Sequence, residues 1–348
     1  MTHAAHGLIA RQEEPIDPAQ PIVDAHHHLY DRPSLRYLLD DFLADIRTGH
    51  DVRATVYVQA RAMQRQEGPE SLKPVGETEF ANGVAAMCAS GIYGNARVCA
   101  AIVGFADLCL GQAVQAVLQA HIDTAGGPAA VGGRFRGIRH VAAWDADPAL
   151  LNPAYPTSED LLDSAAFRAG FAQLNPRGLS FDAWLYFHQI PRLTSLARAF
   201  PDTPIVLNHC GGILGLGCYE GRHQEVFRQW ATATRELASC PNVMVKLGGL
   251  GMPLSGLGTR RHDARPSSAE LAELWRPWIE HCIETFGPSR CMFESNFPAD
   301  KVGYDYAAGW NAFQRIAEHA SASEKADLFW RSACTFYRIQ TSPSGGRN

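Results

Sequence analysis

The sequence lacks the long apolar runs of a membrane protein and the charge excess of a nucleic-acid-binding protein. No stretch approaches the roughly 18 uninterrupted apolar residues that a transmembrane helix needs. The formal net charge is −5 with histidine neutral, too small to favour nucleic acid or an anionic membrane as a partner. The first 20 residues carry neither the charged start nor the apolar centre of a signal peptide. We therefore expect a cytoplasmic protein that binds neither nucleic acid nor membrane.

Several common functional motifs are also missing. The nine cysteines give an odd count and contain no C-x-x-C pair, so we expect reduced thiols and no disulfide framework. The glycine-rich stretches GGILGLG and GGLG do not follow the spacing of a dinucleotide-binding or P-loop motif. No G-x-S-x-G nucleophile motif occurs, and Cys210 should turn away from a pocket that its neighbour His209 faces.

Eight short apolar or β-branched runs recur along the chain, with helical stretches between them. Each run has the length of a buried parallel strand. The runs cover residues 22–28, 55–60, 98–107, 135–141, 179–185, 204–210, 242–249 and 291–298. Eight strand–helix units predict a (β/α)8 TIM barrel of class α/β, a single domain with loop insertions at the C-terminal face. The alternative, a flavodoxin-like doubly wound sheet, has no use for eight units.

The stretches between the strands carry helix signals. We expect helices over residues 78–91, 191–200, 225–240 and 267–287. The last of these opens on Ser267 with a glutamate three residues later, and Pro277 should kink or divide it. Residues 61–77 and 250–267 are irregular and are expected to be loops over the barrel mouth. We expect an N-terminal arm over residues 1–20, the barrel over 21–340 and a disordered tail over 341–348.

Polar side chains collect where the predicted strands end, which in a barrel of this kind is the functional face. His26 and His28 follow the first strand, and because strand side chains alternate, they share one face while His27 takes the other. His209 follows the sixth strand and would approach them from across the barrel mouth. Three imidazoles so placed can bind one metal ion or one substrate oxygen.

These stretches resemble the amidohydrolase superfamily. D-A-H-H-H is similar to its H-x-H strand, I-V-L-N-H-C-G-G to its strand-six histidine, and M-F-E-S-N-F-P to its strand-eight S-D-[WF]-P motif. With F-R-G-I-R and the F-P-D-T-P-I-V-L run, the chain resembles the branch of predicted metal-dependent TIM-barrel hydrolases. That branch includes sugar-acid lactonases and 2-pyrone-4,6-dicarboxylate lactonase. The resemblance implies that His26, His28 and His209 bind a divalent metal, zinc above all, or polarise a substrate carbonyl.

The sequence departs from the family at Asn296, which stands where the family has an aspartate that takes a proton from water. An amide does not accept that proton at neutral pH and is a poorer ligand for a hard cation. Glu294 lies two residues earlier on the same strand face and is the replacement that we expect. Its alternative role is an ion pair with Arg136 or Lys246, and Asp300 is a weaker candidate for the base.

Other polar residues are predicted to bind the substrate. A strand-four arginine can clamp a carboxylate, and arginines near that strand hold substrate carboxylates in the lactonases that the chain resembles. Arg136 and Arg139 lie three residues apart, so one of them is expected to be structural. Lys246 could be a carboxylate contact or a Schiff-base lysine, and we favour an ion pair with an acid at the barrel rim. His188 is predicted to be a pocket group or a helix cap. The full predicted substrate-binding set is Gln59, Arg136, Arg139, Tyr186, His188 and Lys246.

We therefore expect a hydrolase, specifically a lactonase that opens a cyclic ester of a carboxylate-bearing or sugar-acid compound. Two alternatives remain open: a metal-dependent decarboxylase of an unsaturated or aromatic acid, and a barrel that binds a small acid without catalysis. The expected partner is a small-molecule carboxylate or lactone, and a homodimer is left open.

Overall fold

A single sheet of eight parallel strands forms the centre of the molecule in the computed structural model, which describes residues 13–32, 35–258 and 265–340. The strands pair in chain order. They are β1 (Pro21–His27), β2 (Asp51–Val58), β3 (Arg97–Gly104), β4 (Phe135–Ile138), β5 (Ser180–Ala183), β6 (Ile205–Leu207), β7 (Val243–Leu247) and β8 (Cys291–Phe293). All eight predicted strands are confirmed.

The chain after β8 returns to β1 and brings the two ends of the sheet together. The backbone N–H of Asn296 donates to the carbonyl of His26 at 2.9 Å, and that of His28 donates to the carbonyl of Phe297 at 2.7 Å. The sheet is therefore a barrel, and the alternative of an open doubly wound sheet was wrong.

Helices surround the barrel. They are α1 (Leu39–Ile46), α2 (Val75–Ala89), α3 (Val114–Thr124), α4 (Ala165–Phe171), α5 (Ile190–Ala199), α6 (His223–Ala238), α7 (Ser268–Phe286), α8 (Tyr306–Ile316), α9 (Ala322–Ala326) and α10 (Ser332–Tyr337), with a π-helical segment Asp327–Arg331 and short 3-10 turns. Tyr30–Arg32 and Leu35–Tyr37 form a small antiparallel hairpin beside β1. Within the described residues, no helix combines the length and the apolar character that a membrane span requires.

The helix signals in the sequence have identifiable physical causes in the structure. In α6, Val226, Trp230 and Leu237 recur at helical spacing and are buried against the barrel. At the start of α7, the side chain of Ser267 accepts from the backbone N–H of Glu270, whose carboxylate accepts from the Ser267 backbone N–H at 2.7 Å. Pro277 lies inside α7, which continues through it as one helix, so the expected division does not occur.

The interior of the barrel is apolar at its amino-terminal end. Small and branched side chains from β1, β2 and β3 pack there against Ala333, Phe336 and Tyr337, which lie in α10. Arg338 donates to the carbonyl of Gly178, which precedes β5, so α10 covers the amino-terminal mouth. The carboxyl end of the barrel is left for the polar residues. The predicted tail 341–348 lies outside the described residues.

Candidate active site

A bulge in β1 sets the directions of the three adjacent histidines. Between Asp24 and His27, β1 advances three residues while its partner β2 advances two, from Thr55 to Tyr57. His27 points outward, where its ring stacks on Phe42 of α1 at 4.2 Å between centroids. His26 and His28 point into the barrel, and their Nε2 atoms lie 3.2 Å apart. The bulge therefore aims two imidazoles at one place.

His209 and Asn296 reach the same place because the backbone turns sharply after β6 and β8. Their φ angles are 58° and 53°, in the left-handed region that non-glycine residues seldom adopt. Such conformations concentrate at functional sites, where the surrounding structure holds them. The ring of His209 lies 4.5 Å from that of His26, between centroids.

Hydrogen bonds to the Nδ1 atoms fix the orientation of two of these histidines. His28 Nδ1 lies 2.7 Å from the Val58 carbonyl, and His209 Nδ1 lies 2.7 Å from Glu294 Oε1. Glu294 Oε1 also accepts from the backbone N–H of His209 at 3.1 Å. Both Nδ1 atoms face acceptors and therefore carry the proton, which leaves each Nε2 as a lone-pair atom.

Glu294 is fully buried, and its contacts differ from those expected. Its Oε2 lies 3.0 Å from His26 Nδ1 without forming a hydrogen bond to it, and among the described residues this oxygen has no hydrogen-bond partner. Burial raises the pKa of Glu294 to about 8, against the lowering effect of Lys246. The alternative of an ion pair with Arg136 or Lys246 was wrong: Lys246 pairs with Asp182 at 2.7 Å instead.

The donor set fits a divalent metal ion. His26, His209 and Glu294 each offer one ligand atom, and these atoms lie within 4.8 Å of one another. Imidazole nitrogen and carboxylate oxygen are ordinary zinc ligands, and a cation would satisfy the orphaned Glu294 Oε2. The predicted set was His26, His28 and His209. Among the described residues, His28 is not part of the group, and Glu294 takes its place.

Burial, together with nearby cations, keeps the imidazoles uncharged. Burial, then Lys246, lowers the pKa of His26 well below its usual range, and burial, then Arg139, does the same for His28. Lys246 Nζ lies 3.2 Å from His26 Nδ1, and Arg139 Nη1 lies 3.3 Å from His26 Nε2. The site at neutral pH therefore combines neutral histidines with two positive side chains.

A cavity of about 160 Å³ opens above this cluster. Five of the predicted site residues line it: His28, Arg139, Tyr186, His209 and Asn296. The sequence prediction missed the aromatic part of the wall, Tyr30, Tyr155 and Trp184. Strand alternation could have found Tyr30, which follows His28 by two residues, and Trp184 lies in the run that contains β5.

Four predicted substrate-binding residues do not line this cavity. Arg136 donates to the carbonyls of Tyr337 and Gly133 near the amino-terminal mouth, so its expected place in the pocket was wrong. His188 binds Asp145 at 3.0 Å on the outer side of the site. Lys246 lies beneath His26. Gln59 is buried, with Nε2 3.4 Å from the Arg139 carbonyl, and its backbone carbonyl accepts from the Arg139 guanidinium.

Asn296 is held by Asp300, in the loop after β8. Asn296 Nδ2 donates to Asp300 Oδ1 at 2.8 Å, while Asp300 Oδ2 accepts from the Gly251 N–H at 2.9 Å and from the Tyr304 hydroxyl at 3.1 Å. Burial raises the pKa of Asp300 to about 7. Asn296 lines the cavity, and its buried Oδ1 has no hydrogen-bond partner among the residues that the structure describes.

Comparisons with known proteins agree with this architecture. The sequence model of the family described as amidohydrolase matches residues 23–339. An uncharacterized protein of Sinorhizobium fredii is 33% identical over 91% of this chain and 98% of its own length. An L-fucono-1,5-lactonase of Burkholderia multivorans is 26% identical over 91% of this chain and 96% of its own length.

Among solved structures, an amidohydrolase of Burkholderia multivorans with bound zinc shares the fold. Its TM-score is 0.69 at 24% identity, and the match covers 92% of this chain and 99% of that one. The family match over nearly the whole barrel, together with the histidine pair on β1 and His209 after β6, gives one conclusion: this chain belongs to the amidohydrolase family and is an enzyme of that superfamily.

Proposed function

We propose that the protein is a lactonase that hydrolyses a cyclic ester carrying a carboxylate. The observation that carries this proposal is the arrangement beneath the cavity: the Nε2 atoms of the neutral His26 and His28 lie 3.2 Å apart, and His26 Nε2 lies 3.3 Å from Arg139 Nη1. Among the described residues, that guanidinium has no carboxylate partner, and its Nε has no hydrogen-bond partner. An arginine of this kind is available to a substrate carboxylate. The similarity to an L-fucono-1,5-lactonase supports ester hydrolysis.

His26, His209 and Glu294 are the residues that would hold a divalent ion, and the zinc-containing amidohydrolase supports zinc. When bound, such an ion supplies Lewis-acid polarisation of the ester carbonyl. The remaining steps belong to the side chains of the cavity.

His28 is the proposed proton acceptor. It lines the cavity and stands outside the metal-binding group, and its Nδ1 is committed to Val58. Its Nε2, which lies 3.2 Å from His26 Nε2, would take a proton from the attacking water. The sequence predicted that Glu294 accepts this proton. Glu294 does not line the cavity and contacts His209, which does, so we assign the proton to His28 instead.

Arg139 and Asn296 orient the substrate. Arg139 binds the carboxylate, and Asn296 Oδ1 accepts a hydrogen bond from a substrate hydroxyl or from water. Trp184 and Tyr186 close the wall of the cavity and limit the access of bulk water to the ring.

Turnover of defined lactones tests the proposal. The zinc-loaded protein is assayed with 2-pyrone-4,6-dicarboxylate, a cyclic ester that carries carboxylates, and with L-fucono-1,5-lactone, which carries none, and carbon dioxide release is followed in parallel. We expect faster ring opening of the carboxylate-bearing lactone, without carbon dioxide, and a decrease of roughly 10² to 10⁴ in kcat for His28→Gln. His188→Gln is the matched control, because His188 is half-buried, binds Asp145 and does not line the cavity. Carbon dioxide release would replace the proposal with a decarboxylase, and saturable binding without turnover with a non-catalytic barrel.

A further inference from the structure

Four arginines meet at the amino-terminal end of the barrel, the end opposite the candidate active site. Arg97 opens β3, Arg134 and Arg136 flank the first residue of β4, and Arg338 follows α10. Burial, then the positive charges of Arg338, Arg134 and Arg97, lowers the pKa of Arg136 to about 10. These four side chains, the arginine cluster, are therefore close enough to repel one another.

Neutral oxygens accept the hydrogen bonds of the arginine cluster. Arg134 Nη1 donates to the side-chain amide oxygen of Asn82 at 2.8 Å. The other three arginines donate to backbone carbonyls, which are those of Gly133, Phe135, Gly178, Tyr337 and Gln340. Among the described residues, none of the four forms an ion pair with a carboxylate. The cluster is therefore fixed in place by contacts that leave its positive charge uncompensated.

A cavity of about 390 Å³ opens beside the cluster, and Arg97 and Arg134 line it. Its other lining residues come from the last turns of α2, the loop after α2 and the first residues of β3, and none of them is acidic. The volume lies within the roughly 300–1,000 Å³ that small-molecule sites occupy. None of the residues that line the candidate active site lines this cavity, which therefore needs its own explanation.

We propose that this cavity binds a phosphate group, as free phosphate or as the phosphate of a small molecule. Guanidiniums form paired, charge-assisted hydrogen bonds with phosphate oxygens. A phosphate group carries close to two negative charges at pH 7, so it offsets more of the shared positive charge than a carboxylate does. Arg97 and Arg134 contact the phosphate, and Arg136 and Arg338 add to the positive potential around it.

Arg53 shows the contrast at the same end of the barrel. It lies near the start of β2, and its Nε is 2.9 Å from Asp51 Oδ2, so a carboxylate of the chain compensates its charge. Arg53 does not line the cavity. Removing its charge changes the total charge of the protein as much as removing that of Arg97, which makes Arg53→Gln the matched control.

Calorimetric titration of the metal-loaded protein tests the site, with inorganic phosphate and ribose 5-phosphate as the probes. Arg97→Gln and Arg134→Gln are each expected to weaken binding about tenfold or more, because each removes a charged donor. Arg134→Lys keeps the charge and should recover part of the affinity, while Arg53→Gln should bind both probes as the wild type does. Tighter binding of ribose 5-phosphate would support a small-molecule phosphate as the ligand, and tighter binding of inorganic phosphate would support the free ion.

Crystals soaked in tungstate, a doubly charged oxyanion, locate the bound anion directly. We expect an anomalous peak between the guanidiniums of Arg97 and Arg134. Arg97 is exposed, so Arg97→Gln should fold and carry the test if Arg134→Gln does not. Unchanged affinity in the cavity variants, an equal loss in Arg53→Gln, or tungstate bound only at the candidate active site would overturn the proposal. None of these results depends on lactone turnover.

Discussion

Asn296 Nδ2 donates a hydrogen bond to Asp300 Oδ1 at 2.8 Å, and this bond decides which end of the amide faces the cavity. The family aspartate at this position would place a second carboxylate against that of Asp300. The pair therefore has one carboxyl group, that of Asp300 in the loop after β8, and a neutral amide at Asn296.

Exchanging the two side chains should show that they act as a pair. At pH 8, Asn296→Asp places two carboxylates in contact and is expected to lower the free energy of unfolding by about 2–3 kcal/mol. Adding Asp300→Asn restores a donor and an acceptor across the contact, so the double variant should recover at least half of that loss. Urea unfolding of the four proteins measures the coupling, and strictly additive losses would contradict it.

Asp300 should also make stability depend on pH. Burial raises its pKa in the folded protein to about 7, above the usual value of 3.8. The stabilisation from its protonated form is fully present below the unfolded pKa and is lost as the pH rises through about 7. Between pH 5 and pH 8, the wild type should therefore lose at least about 1 kcal/mol more stability than Asp300→Asn. Parallel stability curves for the two proteins would show that Asp300 does not titrate in this range.

Metal content should show that His26 binds the metal ion and His28 does not. His26 belongs to the group that fits a divalent ion and His28 does not, although both are buried and point into the barrel. Elemental analysis of freshly purified protein should find zinc retained in His28→Ala and lost in His26→Ala. Glu294→Gln should weaken zinc binding, because a neutral amide is a poorer ligand for the cation than a carboxylate. Loss of zinc in His28→Ala as well would restore the three-histidine set that the sequence predicted.

The buried ion pair beneath the site should be sensitive to the loss of one partner. Lys246 and Asp182 are both fully buried, and Lys246 Nζ lies 2.7 Å from Asp182 Oδ2. The Tyr337 hydroxyl donates to the same oxygen at 2.8 Å. Lys246→Met leaves a buried carboxylate without its cation and is expected to cost about 3–5 kcal/mol of stability. Asp182→Asn in that background should recover part of the loss. Thermal unfolding of both variants measures this, and equal stability of Lys246→Met and wild type would refute it.

The local pattern of the sequence was sufficient to predict the eight strands. Each strand is a short apolar run bounded by helix and turn signals, and burial on both faces requires that composition whatever the partners are. Alternation along β1 likewise places His26 and His28 on one face and His27 on the other, and the bulge decides which of these faces points into the barrel. The position of His209 at the end of β6 followed from the same reasoning.

The pairing of the polar side chains was decided by tertiary structure. Glu294 and His209 are 85 residues apart in the chain, and Lys246 and Asp182 are 64 apart, so no local rule could choose between these partners and those expected. Arg136 and Arg139 read alike in sequence, yet one is held by carbonyls near the amino-terminal mouth and the other lines the cavity. The sequence by itself determined which residues stand at the strand ends. Only the closed barrel determined which of their atoms meet, because a contact depends on strand register, bulges and the turn after each strand.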